Sequence, residues 1–195
     1  MEIINLSPSE QIYKLVYNGP FTQEAFLHRF EQNKKISTRP NADSVWIEFE
    51  CDEFKSIDSL IFDTIQTQII EENIDYYAKH SWVYTQTKDF DLVYMHQHLL
   101  LHSSTNRSLI KTDYTFTFYV KQPKNLIGDE GKIVFQTENK EQHKFLPKEM
   151  DVFIFPANMR HTAIPTEKHE ETRVVYAGNI AYNFFNDRPR NLNLI

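Results

Sequence analysis

Two histidines, His96 and His98, stand two positions apart in the run LVYMHQHLLLHSS. Successive side chains of an extended strand point to opposite faces, so residues two apart share one face. If this run is a strand, Tyr94, His96 and His98 project together. Neutral imidazole is a common metal ligand. The spacing alone allows either half of a metal site or a chance pair of core histidines.

A third histidine, His161, follows the apolar run DVFIFP and a short turn, and Arg173 begins the next apolar run. An imidazole from a separate strand would complete one face of an octahedral metal site. An antiparallel neighbour strand would then bring the guanidinium of Arg173 close to the metal. Burying a guanidinium costs several kcal/mol without an anion beside it, so we expect the carboxylate of a ligand at Arg173.

Residues 80–183 carry H-x-H, TFTFYVKQP, GDEGKIVF, PKEMDVFIFPANMRHTAIP and RVVYAGNI in that order. This series resembles the Fe(II)- and 2-oxoglutarate-dependent oxygenases, in particular small oxygenases of bacteria and phages related to prolyl 4-hydroxylases. The resemblance implies that His96, His98 and His161 are the catalytic metal ligands for Fe(II). It also implies that Arg173 pairs with the distal carboxylate of the cosubstrate 2-oxoglutarate.

Two further residues are candidates for cosubstrate binding by the same resemblance. Tyr94 is placed to donate a hydrogen bond to 2-oxoglutarate, with core packing as the alternative. Asn179 matches the asparagine at the end of the family's last strand, where it either orients a ligand or satisfies buried backbone. Tyr94 and Asn179 therefore join Arg173 as expected cofactor-binding residues.

The activity implied is hydroxylation of an unidentified small-molecule or peptide substrate, with release of succinate and CO2. One departure is His98, because most of the wider superfamily has Asp or Glu there, and Asp113 or Asp91 could supply the carboxylate instead. The segment 99–112 is also long, and is either a lid or a surface loop. The alternatives are a cupin-type three-histidine metalloenzyme that does not use 2-oxoglutarate, and a non-catalytic jelly-roll binding or structural module.

Elements that would position these residues can be predicted from periodicity. Thr22 as a cap and the apolar positions Phe26, Leu27 and Phe30 predict a helix over 20–35. Alternation predicts a strand over 44–54, and isoleucines at four-residue spacing predict a long helix over 56–80 that ends at His80. From residue 81 onward, strands are expected over 81–87, 91–97, 114–121, 132–136, 151–155, 161–164 and 172–180.

This order predicts a mainly β fold with N-terminal helices. The resemblance implies a double-stranded β-helix, a cupin-like jelly roll, buttressed by two helices. We expect a single domain over 1–195, in which 1–80 support a β-helix core over 81–183 and 184–195 form a tail.

The composition limits the classes of binding partner that we expect for this protein. The net charge is −6 and no basic run exceeds two residues, so a nucleic-acid partner bound by charge is not expected. The single cysteine agrees with a reducing compartment, and no apolar run approaches membrane-spanning length. We therefore expect a cytoplasmic protein that does not associate with membranes. A homodimer is possible through an aromatic such as Phe184 or Phe185.

Overall fold

The computed structural model describes residues 1–36, 44–46, 51–70, 74–86, 94–102, 109–166 and 171–184. The helices are α1 (Gln23–Ile36) and α2 (Asp52–Thr64), and α2 continues as a π-helical segment over Ile65–Ile70. The strands are β1 (Glu2–Ser7), β2 (Glu10–Val16), β3 (Ser44–Trp46), β4 (Ile74–Gln86), β5 (Leu100–His102), β6 (Leu109–Lys111), β7 (Tyr114–Lys121), β8 (Ile133–Gln136), β9 (Gln142–Phe145), β10 (Asp151–Pro156), β11 (Arg160–Ala163) and β12 (Arg173–Phe184).

The described strands form a seven-stranded sheet in the order β1-β2-β10-β7-β12-β4-β3 and a three-stranded sheet in the order β11-β8-β9. A two-stranded ribbon joins β5 and β6. Neighbouring strands are antiparallel throughout these pairings. The long strand β12 lies between β7 and β4 and pairs with both. The predicted mainly β fold with N-terminal helices is confirmed.

Alternation along the strands divides the core into two parts. On β7, Phe116 and Phe118 face the helices, whereas Tyr119 faces the small sheet. On β10, Ile154 faces the helices and Phe153 faces the small sheet. Each fully buried apolar side chain of this size contributes roughly 1.5–3 kcal/mol to stability. The large sheet is therefore covered by helices on one face and by the small sheet on the other.

Helix α1 begins as the sequence predicts. The backbone N–H of Ala25 lies 3.4 Å from the Thr22 hydroxyl, which is the position of a cap. Phe21 before the helix contacts Phe26 within it, with ring centroids 6.3 Å apart. Phe26 and Phe30 are buried against the large sheet, so the predicted apolar face of this helix is confirmed.

Helix α2 is tied to the large sheet by a polar cluster of Asp58, Lys79 and Tyr176. Lys79 forms an ion pair with Asp58, and its Nζ lies 3.2 Å from the Tyr176 hydroxyl. That hydroxyl donates to Asp58 Oδ1 at 2.9 Å. Burial raises the pKa of Tyr176 far above its ordinary value, so the phenol stays a donor. The cluster therefore joins α2 to β4 and β12 on the face of the large sheet that the helices cover.

Two boundaries differ from the prediction. The expected strand over 44–54 is wrong at its end, because residues from Asp52 onward are helical; residues 47–50 lie outside the described part. The expected helix over 56–80 is wrong after residue 70, because Ile74–Gln86 form β4 and His80 lies within it. Pairing with β12 along its whole length decides the conformation of this aromatic-rich segment.

Strands that sequence reasoning did not predict complete both sheets. The hairpin of β1 and β2 extends the large sheet next to β10, and β9 forms an edge of the small sheet. The predicted boundary between support and core at residue 80 falls inside β4. Phe184, the first residue of the expected tail over 184–195, is the last residue of β12, and residues 185–195 lie outside the described part. Across the ranges described, the helices are too short or too polar to cross a bilayer.

Candidate metal centre and its pocket

Three histidines, His96, His98 and His161, meet at one point between the sheets. One nitrogen from each ring lies within 4.8 Å of the corresponding nitrogens of the other two. The ring centroids are 4.5 Å apart for His96 and His161, 4.9 Å for His96 and His98, and 5.1 Å for His98 and His161. The sequence-predicted metal ligands are therefore together, at separations that a single ion can bridge after small adjustments.

Different elements deliver these rings. His161 lies on β11 and is buried, and the backbone of His96 pairs with it through N–O distances of 3.0 and 2.8 Å. The His98 N–H donates to the Ala157 carbonyl at 2.9 Å. These three backbone hydrogen bonds hold the segment that carries His96 and His98. The predicted strand over 91–97 is wrong for residues 94–97, where a lone bridge at His96 replaces it; residues 91–93 lie outside the described part.

Main-chain carbonyls fix the tautomers of two of the rings. Nδ1 of His96 lies 2.7 Å from the Tyr94 carbonyl, and Nδ1 of His161 lies 3.0 Å from the Met159 carbonyl. A carbonyl only accepts, so each Nδ1 carries the proton and donates it. The Nε2 lone pair of both rings is then available for a metal.

His98 is held by a side chain instead. Its Nδ1 lies 3.4 Å from Nδ2 of Asn179, whose Oδ1 accepts a hydrogen bond from the Thr115 hydroxyl at 3.1 Å. Asn179 is buried and reaches one of the three histidines from β12. In this structure it contacts the candidate metal ligand His98, and its expected role in binding the cosubstrate stays a prediction.

Burial keeps the imidazoles of His161 and His98 neutral. Desolvation lowers the pKa of His161 to about 3, aided by the charges of His96 and His98 and opposed by the Met159 carbonyl. Desolvation likewise lowers the pKa of His98 to about 4, with His96 and His80 adding to it. Histidine must be deprotonated to bind a metal, so at neutral pH both rings are in the binding form.

A pocket of ≈ 180 Å³ opens beside the three histidines. That is the volume of roughly six water molecules, which suits a small organic acid better than a drug-sized ligand. Along the strands that form its wall, β12 supplies Ala177, β7 supplies Thr117, and β4 supplies Trp82 and Tyr84. The Trp82 ring also contacts His98, with centroids 5.7 Å apart.

Arg173 does not line the pocket itself but lies close to Tyr84, which does. It is fully buried, and its guanidinium carbon is 4.9 Å from the centroid of the Tyr119 ring. Arg173, Ala177 and Asn179 share one face of β12, so this strand runs from the guanidinium past the pocket to His98. The sequence-predicted cation and imidazoles therefore face one side of the large sheet.

Tyr84 is a pocket residue that sequence reasoning missed. Burial raises the pKa of Tyr84 above its ordinary range, while the positive charge of Arg173 acts in the opposite direction. The phenol is therefore a protonated donor near the guanidinium. A signal was available in the sequence, because Tyr84 shares the parity of Trp82 on the strand predicted from residue 81.

The structure does not place Tyr94 in the pocket. Its side chain is 85% exposed, and its contribution near the site is the carbonyl that accepts from His96. The expectation that Tyr94 projects with the histidines is wrong because residues 94–97 do not form a regular strand. The alternative of core packing is wrong for the same side chain.

Asp113, the first candidate to replace one of the histidines as a metal ligand, does not join the cluster in this structure. Its carboxylate accepts a hydrogen bond from the backbone N–H of Tyr182 at 2.8 Å, and it is not among the clustered donor groups. Asp91 lies outside the described residues. Within the segment 99–112, β5 and β6 pair as a ribbon, and residues 103–108 lie outside the described part.

Comparison with known proteins agrees with this architecture. No family model and no curated protein matches the chain. Among solved structures, a viral collagen prolyl hydroxylase from Paramecium bursaria Chlorella virus-1, in complex with 2OG, is similar with a TM-score of 0.61 and 14% identity, covering 90% of this chain and 98% of that one.

Two other similar structures have different ligands. HygX from Streptomyces hygroscopicus, with nickel and 2-oxoglutarate bound, has a TM-score of 0.60 and 12% identity over 89% of this chain and 83% of that one. A prolyl hydroxylase from Trichoplax adhaerens, in complex with a peptide fragment of the hypoxia inducible factor oxygen degradation domain, has a TM-score of 0.62 and 12% identity over 87% and 82%. The chain therefore has the double-stranded β-helix fold of the prolyl 4-hydroxylases and related Fe(II)- and 2-oxoglutarate-dependent oxygenases.

Proposed function

We propose that this protein is an Fe(II)- and 2-oxoglutarate-dependent dioxygenase that hydroxylates its substrate. The observation that carries the proposal is that three clustered imidazoles line one pocket, while a fully buried guanidinium lies close to Tyr84 of the same pocket. A metal and a carboxylate are the ligands that these two groups select. A small keto acid carries both a chelating end and a distal carboxylate.

The residues present fit the metal. His96, His98 and His161 would hold Fe(II), and their tautomers at His96 and His161 already leave Nε2 available. Three protein ligands leave the remaining positions of an octahedral ion to exchangeable ligands. When bound, Fe(II) with 2-oxoglutarate supplies the oxidative chemistry in which substrate C–H, O2 and 2-oxoglutarate become C–OH, succinate and CO2.

Arg173 would bind the distal carboxylate of 2-oxoglutarate. A guanidinium matches a carboxylate in a charge-assisted and often bidentate pair. Tyr84 and Thr117 line the pocket on the same wall, and their hydroxyls are suitable further donors. Since three neutral imidazoles do not compensate the charge of a divalent metal, this pocket favours a dianionic ligand.

The substrate is proposed as a small molecule or a peptide. The similar prolyl hydroxylase from Trichoplax adhaerens was solved with a peptide, which supports an open approach to the metal in this fold. In this chain His96 is partly exposed and Tyr94 is strongly exposed next to it. These residues would lie on the side from which a substrate reaches the site.

The test is 2-oxoglutarate turnover by protein loaded with Fe(II) without air. On admission of O2 we expect succinate to form at a slow rate even without a substrate, and Zn(II)-loaded protein to form none. Metal binding with no succinate and no uptake of O2 in response to 2-oxoglutarate would favour the cupin-type three-histidine enzyme. A folded protein that binds no divalent metal would instead favour a non-catalytic jelly roll.

A further inference from the structure

His98 differs from the other two histidines in the group that holds its Nδ1. His96 and His161 each face a main-chain carbonyl, which fixes the proton on Nδ1 whatever side chains surround them. His98 faces the side-chain amide of Asn179. An amide offers an N–H2 donor on one side and an oxygen acceptor on the other, so it can serve either tautomer.

In this structure the Thr115 hydroxyl holds that amide in one of its two orientations. The hydroxyl donates to Oδ1 of Asn179, which turns Nδ2 toward Nδ1 of His98. Nδ2 can only donate, so Nδ1 of His98 accepts and the ring proton lies on Nε2. Both Thr115 and Asn179 are buried, so these hydrogen bonds are shielded from bulk water.

This arrangement is the reverse of what a metal needs. A metal bound at Nε2 requires the lone pair there, and the proton must then move to Nδ1 and find an acceptor. Rotating the amide by half a turn provides that acceptor, because Oδ1 then faces Nδ1–H of His98. Nδ2 would then donate to the Thr115 hydroxyl, which accepts as well as it donates.

We propose that Asn179, held by Thr115, is the positioning residue that sets the tautomer of His98, and that metal binding at this ring is coupled to rotation of the Asn179 amide. The pair has two arrangements with matched hydrogen bonds, one for the metal-free and one for the metal-bound protein. The inference rests on the proposed metal site and is independent of 2-oxoglutarate turnover.

The direct test observes the tautomers. Protein with 15N-labelled histidine is examined by NMR in the metal-free form and with Zn(II) as a diamagnetic probe. We expect the proton of His98 on Nε2 without metal and on Nδ1 with Zn(II). His96 and His161 should carry it on Nδ1 in both states. A His98 ring that already holds its proton on Nδ1 in the metal-free protein would overturn the proposal.

Variants at position 179 separate positioning from mere packing. Asn179→Asp provides acceptors for both Thr115 and His98, so the metal-free His98 ring should change to the Nδ1–H form and Zn(II) affinity should not fall. Asn179→Leu keeps the size but removes both bonds, and Zn(II) should bind roughly 10- to 100-fold more weakly, the usual effect of losing a group that orients a ligand. Equal tautomers in the wild type and Asn179→Asp would contradict the mechanism.

Variants at position 115 address the charge that Asn179→Asp introduces. Thr115→Val removes the hydroxyl that fixes the amide, so the metal-free His98 ring should shift toward the Nδ1–H form without any added charge. Thr115→Ser keeps the hydroxyl and should behave as the wild type. Thr112→Val is the matched control, because Thr112 is buried just before β7 and is not among the residues that line the pocket, so the His98 tautomer should stay as in the wild type. An equal change of the His98 tautomer in Thr112→Val and Thr115→Val would contradict a specific role of the Thr115 hydroxyl.

Failure of this inference and failure of the proposed function give different results. Tautomers and Zn(II) affinity are measured without O2 or 2-oxoglutarate, so a protein inactive as an oxygenase can still confirm the amide rotation. Conversely, normal succinate formation together with an unchanged His98 tautomer on metal binding would retain the oxygenase and reject the role of Asn179.

Discussion

The two ends of the pocket are built in different ways. The inner end, near Tyr84 and Arg173, is formed by β4 and by β12, which pairs with β7 on its other side. The outer end depends on β11 and on residues 94–99, which are held by the His96–His161 bridge, by the bond from His98 to Ala157 and by the bond from Thr112 to Leu99. The end that would bind the cosubstrate is part of a continuous sheet, while the end that would bind the metal is held locally.

This difference predicts how each end responds to change. At the inner end, loss of a side chain should alter ligand binding while the strands stay in place. At the outer end, the metal itself would add bonds between β11 and residues 94–99, so binding and local order should be coupled. The two ends should therefore be separable by measuring metal affinity and 2-oxoglutarate affinity independently.

The largest effect is expected for His161→Ala. It removes the most deeply buried of the three imidazoles, and we expect metal affinity to fall by at least about 100-fold because two local ligands remain. Titration with Zn(II) in competition with a chelator measures this. His28→Ala, on the exposed face of α1, is the control and should bind as the wild type. Retained tight binding in His161→Ala would show that the cluster is not a metal site.

Next in size is the effect of Arg173→Ala on 2-oxoglutarate. A hydrogen bond to a charged group contributes about 1.5–3 kcal/mol, so the dissociation constant should rise about 10- to 150-fold while Zn(II) affinity changes little. Arg173→Lys keeps the charge but not the paired N–H geometry, and an intermediate value is expected. Loss of metal in Arg173→Ala would mean that the two ends are not separable and that the arginine is structural.

Acid should weaken the outer end first. The pKa values of His161 and His98, about 3 and about 4, are below the value of about 6.5 in an unfolded chain. The stability that they contribute is complete above pH 6.5 and is lost as pH falls below it, since the unfolded state then binds more protons. Between pH 8 and pH 5, His161 alone should lower the free energy of unfolding of the metal-free protein by about 2 kcal/mol.

Denaturant unfolding at the two pH values measures this loss, with His161→Gln as the comparison. The variant should lose less stability on acidification, because glutamine does not titrate. An identical loss in the wild type and the variant would show that His161 is not the group responsible, and that the outer end is not the acid-sensitive part.

The smallest effect is expected for Tyr84→Phe at the inner end. Loss of one hydroxyl donor to the carboxylate, at about 0.5–1.5 kcal/mol, should raise the 2-oxoglutarate dissociation constant roughly 2- to 10-fold and leave Zn(II) affinity unchanged. Tyr94→Phe is the matched control, because its side chain is exposed and no change is expected. A larger effect of Tyr94→Phe than of Tyr84→Phe on this dissociation constant would instead support the prediction that Tyr94 binds 2-oxoglutarate.

The success of the sequence-based predictions also differs between the two ends of the pocket. Arg173 and Asn179 share a face by strand parity, and this held because β12 is a regular strand. Tyr94 was placed by the same parity rule and was wrong because the chain at residues 94–97 is not regular. Parity cannot report whether a strand continues, since that depends on a partner distant in the sequence.

The segment after residue 70 shows a second limit. Isoleucines at 61, 65 and 69 have helical spacing, and nothing local marks the change of period at Ile74. The conformation is decided by β12, whose residues pair with those of β4 across 87 to 110 positions of the chain. The clustering of the three histidines was predictable from the family resemblance, whereas the position of the β1–β2 hairpin depends on its pairing with β10.

The orientation of the Asn179 amide also bears on how such sites diverge. As it stands, the amide presents N–H to position 98, which is the partner that an acceptor-only carboxylate requires. In the variant His98→Asp, the Asn179 amide would already present its N–H to the carboxylate. For His98 to bind a metal through Nε2, the same amide must rotate first. The surroundings of position 98 therefore already suit a set of two histidines and one carboxylate. A change of one codon separates that set from the three histidines of this chain.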